Sequence, residues 1–374
     1  MRSWFGFLSP IILSINSSFL KRSFDKGPFI RALFAFLRLP MSDTPNQRLC
    51  ILGAGSWATA LCKIFSEAGM HISWWFHREE DARHFTQFAH NPRYLSDVDF
   101  RSRPIQAFSS VEDAMKGCSW VLVAIPSAFV AGVLKSIPID TWQGKKIISS
   151  IKGILPDELQ LVTDFLHEYA GIDRNQMAVI GGPCHAEEVA LEKQSYLTIG
   201  ALDPEFGARI QAAIQSRYIL AGISPDLDGI EWAAVLKNVY AIACGVCHGL
   251  GYGDNFQAVL VSNAMQEMNR FLKEHSGSDR DTLASAYLGD LLVTAYSTFS
   301  RNRTFGNMVG RGYGIKAAQV ELGMVAEGYY AIKALHNMRE RLGIELPIAD
   351  SIYEIMYQNV PAKESIGRLR AILR

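Results

Sequence analysis

The sequence predicts an α/β, doubly wound domain over residues 46–225 followed by an all-α domain over 226–374. Two patterns, and the change between them, carry this prediction. Up to about residue 222, short apolar runs alternate with helical stretches: 49–52, 71–76, 120–125, 146–150 and 177–180. Runs of that length suit buried parallel strands. From about Asp226 the strand signals stop, and 228–250, 255–275, 281–299, 316–342 and 347–358 read as helices with glycine-rich breaks.

The chain has 374 residues, with 37 Lys+Arg against 37 Asp+Glu, and only six cysteines. Such a balance offers no global field for nucleic acid, and the cysteines are too sparse for a disulfide scaffold. The zero is unevenly spread. Residues 1–40 hold six basic residues and one acid, so the remaining 31 basic and 36 acidic residues give 41–374 a net charge of −5. Residues 1–45 are therefore read as an extension outside the fold. The apolar stretch Phe5–Leu20 is broken by Pro10 and several serines, which is poor for a spanning helix, and no clean small-residue cleavage site follows. Three readings stand: a working protein that begins at Met41, an organellar transit peptide, or a membrane-surface arm. The expected location is cytoplasmic, with organellar import if the segment is a transit peptide, and no stable membrane insertion is expected.

The first strand ends in Gly53-Ala54-Gly55-Ser56-Trp57-Ala58 and a helical pattern follows. Strand, glycine turn and helix in that order make a Rossmann-like dinucleotide fingerprint. Gly53 permits the tight turn, and Gly55 lets the backbone approach a pyrophosphate at the helix N-terminus. Ala58 stands where a third glycine is commonest. The second strand ends in His77 and Arg78, with Glu79 and Glu80 behind them. An NAD-selective site places an acid near this strand end for the ribose 2′-hydroxyl, whereas an arginine suits a 2′-phosphate. NADP is therefore favoured, with NAD allowed. Two later strand-end loops carry Lys152 in Ile151-Lys152-Gly153, and Gly181 to Glu188. Both fall where open α/β sheets bind ligands.

In the helical half, Lys237 interrupts the almost wholly apolar run Ile230–Cys244, with Ala233, Ala234, Tyr240 and Ala241 as its helical neighbours. A lysine so placed must meet a carboxylate or sit in a cleft with a lowered pKa, and is a candidate proton donor or acceptor. Asp290 poses the mirror problem in the apolar run Leu288–Thr294, and pairing the two would satisfy both. The stretch Ser300–Asn307, continuing to Gly310–Gly314, is the densest cluster of cations, amide donors and glycines, and reads as a loop suited to a phosphate dianion. Cys244-Gly245-Val246-Cys247-His248 matches a haem-attachment pattern, but it ends an apolar helix and has no second Cys/His cluster. No metal is expected.

Taken together, these residues resemble the NAD(P)-dependent glycerol-3-phosphate dehydrogenases of bacterial type. The resemblance rests on 53–61, 91–98, 151–153, 181–190, 236–239, 249–255, 289–291, 300–306, 326–328 and 341–348, in that order over roughly 48–360. It implies reversible hydride transfer between a nicotinamide and C2 of glycerol 3-phosphate, forming dihydroxyacetone phosphate, in the service of glycerophospholipid synthesis. By position it makes Lys237 the proton donor/acceptor. It places Lys152, Gly182, Cys184, Asp290, Ser300, Arg301 and Asn302 against substrate. Ser56, Trp57, His77, Arg78, Lys152, Ala186, Arg301, Val325 and Glu327 fall against cofactor. The family has Ser or Thr where Cys184 stands, which replaces a hydroxyl donor with a weak thiol. Alternatives are another two-domain dehydrogenase acting on a small hydroxy acid or sugar phosphate, and an NAD(P) sensor without turnover. Large apolar helices such as 316–342 point to a homodimer.

Overall fold

The computed structural model describes residues 47–277 and 280–374, so the expectations for residues 1–45 lie outside the described residues. Strands and helices alternate through the first half: β1 (Arg48–Leu52), α1 (Ser56–Glu67), β2 (His71–Trp75), α2 (Glu79–Phe88), β3 (Ile105–Phe108), α3 (Val111–Met115), β4 (Trp120–Val123) and α4 (Ser127–Ser136). They continue as β5 (Lys146–Ser149), α5 (Val162–Ala170), β6 (Met177–Gly181), α6 (Ala186–Ala190), β7 (Ser195–Ala201), α7 (Pro204–Ile214) and β8 (Ile219–Ser224). The sheet order is β3-β2-β1-β4-β5-β6-β7-β8. Winding reverses between β1 and β4, which opens a crevice at their carboxyl ends.

Every strand pair is parallel except β6 with β7. Three strands are absent from the sequence reading: β3, β7 and β8. β3 and β8 are edge strands with half-exposed patterns, so neither presents the continuous apolar run that marks a buried strand. Along β1, Leu49 and Ile51 enter one hydrophobic core while Cys50 and Leu52 enter the other. That period-two alternation shows a sheet covered on both faces.

The second half comprises α8 (Leu227–Gly249), α9 (Asp254–Ser276), a π turn at Ser285–Gly289, α10 (Asp290–Tyr296), α11 (Arg301–Gly310), α12 (Ile315–Leu322), α13 (Glu327–Leu342), α14 (Pro347–Tyr357) and α15 (Ala362–Arg370). By length and apolarity α8 could cross a membrane, but it is buried inside the protein as a core helix. Its Ile230, Val235 and Leu236 share one core with Met177 and Val179 of β6, so the helical half packs on a sheet face.

Three expectations are corrected here. The 281–299 segment is a π turn leading into a short helix, not one continuous helix. The 316–342 segment is two helices, because Gly323 adopts φ +62° and ends α12. Buried Ala331, Ile332, Ala334 and Leu335 place the apolar face of α13 inside the chain, while Val320 and Met324 of the 316–342 segment stay exposed. The Ser300–Asn307 cluster is not a loop: it is the start of α11.

Candidate active site

The turn after β1 shows why its glycines are needed. Gly53 has φ +110°, and a Cβ there would stand 2.5 Å from the Ala124 carbonyl oxygen of the neighbouring strand end. Gly55 caps α1 in an extended conformation with open space beside it, and the first turn of α1 carries no acid. Asn91 pins the turn from behind, its Nδ2 donating to the Ala54 carbonyl at 2.9 Å and to Thr59 Oγ1 at 2.8 Å. A tight glycine cradle facing an uncompensated helix N-terminus fits a pyrophosphate. The buried Trp57 Nε1 beside it has no partner among the described residues. The residues present therefore fit a dinucleotide.

Across the crevice, Lys237 of α8 donates from Nζ to Asp290 Oδ1. Their side chains are 4% and 2% exposed. Burial pushes the lysine down to about 8; the Asp290 charge opposes that shift, and the nearby Lys152 ammonium adds to it. Asp290 Oδ2 is buried without a partner among the described residues. The π turn immediately before Asp290 widens the backbone there, a distortion common at functional positions.

The phosphate-suited cluster owes its place to helix packing. Ser300 caps α11, its Oγ accepting from Arg303 N–H at 3.3 Å. No acid lies in that first turn. α11 and α8 cross backbone to backbone: a Cβ at Gly306 would fall on the Ile242 carbonyl oxygen, and one at Gly245 would stand 2.8 Å from Asn307 N. Cys244 and Cys247 are buried free thiols of α8, and Gly245 between them is the residue of the C-x-x-C-H stretch that lies in this crossing. Asn302 is buried, and its Oδ1 accepts from Gly328 N–H at 2.9 Å.

These walls enclose one cleft of about 320 Å³. It brings together Gly55, Ser56, Trp57, Lys152, Cys184, Ala186, Lys237, Asp290, Ser300, Arg301, Asn302, Val325 and Glu327. Lys152 Nζ lies 4.9 Å from the Trp57 ring centroid. Its carbonyl accepts from Asn238 Nδ2 at 2.6 Å. Burial pushes the Cys184 thiol up to about 11 and the His185 imidazole down to about 4, so the first stays protonated and the second neutral near neutral pH.

Gly53, Gly182, His77 and Arg78 do not line this cleft. The two glycines act as turns behind its wall, Gly182 with φ +109° and room for no more than 3.0 Å between a Cβ and the Tyr196 carbonyl. His77 and Arg78 lie in the exposed loop after β2, where Arg78 Nη1 is 3.5 Å from Glu80. Sequence reasoning missed Tyr94, Phe129, Asn238, Thr294, Phe299 and Met324, which also line the cleft. Asn238 and Thr294 were detectable in principle, as polar residues inside the apolar runs that carry Lys237 and Asp290.

A doubly wound sheet with a glycine cradle at its switch point, facing helices that bury a lysine in the same cleft, defines an NAD(P)-dependent oxidoreductase. Comparison with known proteins narrows the class. The profile described as NAD-dependent glycerol-3-phosphate dehydrogenase N-terminus matches residues 48–207, and its C-terminus counterpart matches 226–367. The chain therefore belongs to the NAD-dependent glycerol-3-phosphate dehydrogenase family. It is 31% identical to the glycerol-3-phosphate dehydrogenase [NAD(P)+] of Oceanobacillus iheyensis, over 86% of this chain and 93% of that protein. It is also 31% identical to the protein of that name from Chlorobium limicola, over 86% and 96%. The crystal structure of glycerol-3-phosphate dehydrogenase from Coxiella burnetii superimposes with a TM-score of 0.80 at 26% identity, over 87% of this chain and 98% of that one.

Proposed function

We propose that this chain interconverts dihydroxyacetone phosphate and sn-glycerol 3-phosphate, with Lys237 as the proton donor and acceptor. One observation carries the reading: the buried Lys237–Asp290 pair shares a cleft with the glycine cradle and with the N-terminus of α11. The nicotinamide cofactor, when bound, supplies or takes up hydride at C2. Gly55, Ser56 and Trp57 would hold it on the turn that Gly53 makes, with Lys152, Ala186, Val325 and Glu327 along the same wall. Lys237 Nζ gives a proton to the C2 oxygen in reduction and removes it in oxidation. Asp290 Oδ1 orients that nitrogen, and the ammonium stabilises the developing alkoxide. Arg301, Asn302 and the first turn of α11 take the phosphate, so binding energy remote from C2 becomes orientation of the reacting carbon.

NADP is the favoured cofactor, through Arg78. The product suits glycerophospholipid synthesis in the cytoplasm. A homodimer is retained on the exposed apolar residues Leu220 and Ile223 of the edge strand β8. Loss of NADPH or NADH absorbance with dihydroxyacetone phosphate tests the activity. Turnover that disappears in Lys237→Ala is expected. The absence of turnover with either cofactor, or near-normal turnover in Lys237→Ala, overturns the reading.

A further inference from the structure

We propose that Ser127 is a positioning residue for the reaction, tying the two walls of the cleft together through the Glu327 carboxylate; this rests on the reading of the cleft given above. Ser127 is the first residue of α4, directly after Pro126 in the short turn that follows β4, and is fully buried. Its N–H donates to Glu327 Oε1 at 3.1 Å, and its Oγ donates to Glu327 Oε2. Glu327 opens α13 in the helical half, so its carboxylate caps a helix of the sheet domain. Burial raises the Glu327 pKa, while the two Ser127 hydrogen bonds favour the charged form. A carboxylate taken this far from water needs such partners.

The junction has two further sides. A Cβ at Gly153 would fall on Glu327 Oε2 and stand 2.7 Å from Ser127 Oγ, so the loop carrying Lys152 is seated against the pair. On the opposite side, Gly328 N–H holds Asn302 Oδ1 at 2.9 Å. Two consecutive residues of α13 thus grip Ser127 in the cofactor wall and Asn302 at the phosphate end. A shift at Ser127 is transmitted to both ligand sites without Ser127 touching either ligand. Its hydroxyl therefore supports the coupling between cofactor and substrate binding rather than the binding of either alone.

The test measures NADPH dissociation constants by protein fluorescence quenching, with and without saturating glycerol 3-phosphate, in wild type, Ser127→Ala, Glu327→Gln and the double variant. In wild type, glycerol 3-phosphate is expected to tighten NADPH binding. Ser127→Ala is expected to reduce that tightening about tenfold, with NADPH affinity alone held within about twofold. It also raises the KM for dihydroxyacetone phosphate more than it lowers kcat. The double variant is expected to lose no more coupling than either single one. Glu327→Gln keeps the side-chain shape and an acceptor; because Glu327 also lines the cofactor wall, its NADPH affinity alone is expected to fall. Its loss of coupling is read only from the ratio of its dissociation constants with and without glycerol 3-phosphate, which carries the test if Ser127→Ala does not fold. Wild-type coupling in both single variants, effects that multiply as for independent sites, or an active wild type without coupling overturns the proposal alone. A wild type that does not turn over dihydroxyacetone phosphate overturns the reading of the site with it.

Discussion

Lys237 Nζ donates to Asp290 Oδ1 in the interior of the protein, and the second oxygen of Asp290 is left without a partner among the described residues. One carboxylate oxygen thus fixes the amine, while the other lies buried and unpaired beside the cleft. A structural ion pair would gain by satisfying both oxygens, so a half-satisfied pair beside a cavity suits a site completed by its ligand.

The pH dependence should follow Lys237, whose pKa burial pushes down to about 8. Ketone reduction needs the ammonium, so its kcat/KM is expected to fall as pH rises through about 8. Oxidation of glycerol 3-phosphate needs the free amine and is expected to rise through the same region. His185 near 4 and Cys184 near 11 titrate well away from this break. Initial rates in both directions between about pH 6 and pH 10 check the opposite signs.

Asp290→Asn removes the charge that holds the Lys237 pKa up, while keeping the side-chain shape. The break in the pH profile is therefore expected to move below 8. kcat should fall about a hundredfold or more, as for loss of an oriented acid–base group. NADPH affinity, measured by fluorescence, should be unchanged.

Arg301→Ala is expected to raise the KM for dihydroxyacetone phosphate by roughly 10- to 100-fold, the worth of a hydrogen bond between ions. Its effect on kcat should be smaller. Dihydroxyacetone, which lacks the phosphate, provides the control. Its kcat/KM should be the same in wild type and variant.

Arg78 lies in the loop after β2 with 57% of its side chain exposed. Its replacement by alanine is expected to weaken NADPH about tenfold, by loss of a charge-assisted contact with the 2′-phosphate, and to leave NADH affinity unchanged. Titration of both cofactors against both proteins checks the difference.

Gly306→Ala places a methyl group on the Ile242 carbonyl oxygen at the crossing of α8 and α11. Separating two backbones in contact should cost about 1–3 kcal/mol of stability, read from urea unfolding. Because α11 carries Arg301 at its start, the KM for the phosphate substrate should rise as well.

By itself, the sequence determined the features that local physics dictates. Gly53 and Gly55 between an apolar run and a helical pattern mark the cofactor turn, because few backbones can make that turn without them. Lys237 and Asp290 declare themselves as charges inside apolar runs, which must be compensated wherever the chain goes. What only the tertiary structure decided is how separate segments meet. Whether Ser300–Asn307 is a loop or a helix start depends on Gly306 and Gly310 reaching backbone contact with α8, more than fifty residues away. The antiparallel entry of β7 depends on its pairing with β6. The break at Gly323–Ala326 places Val325 and Glu327 in the cleft, and Glu327 meets Ser127 across 200 residues of chain. Periodicity and composition report what one segment prefers, whereas register and close backbone approach are energies of pairs of segments. The chemistry was therefore legible residue by residue, and the cleft that makes it one site was not.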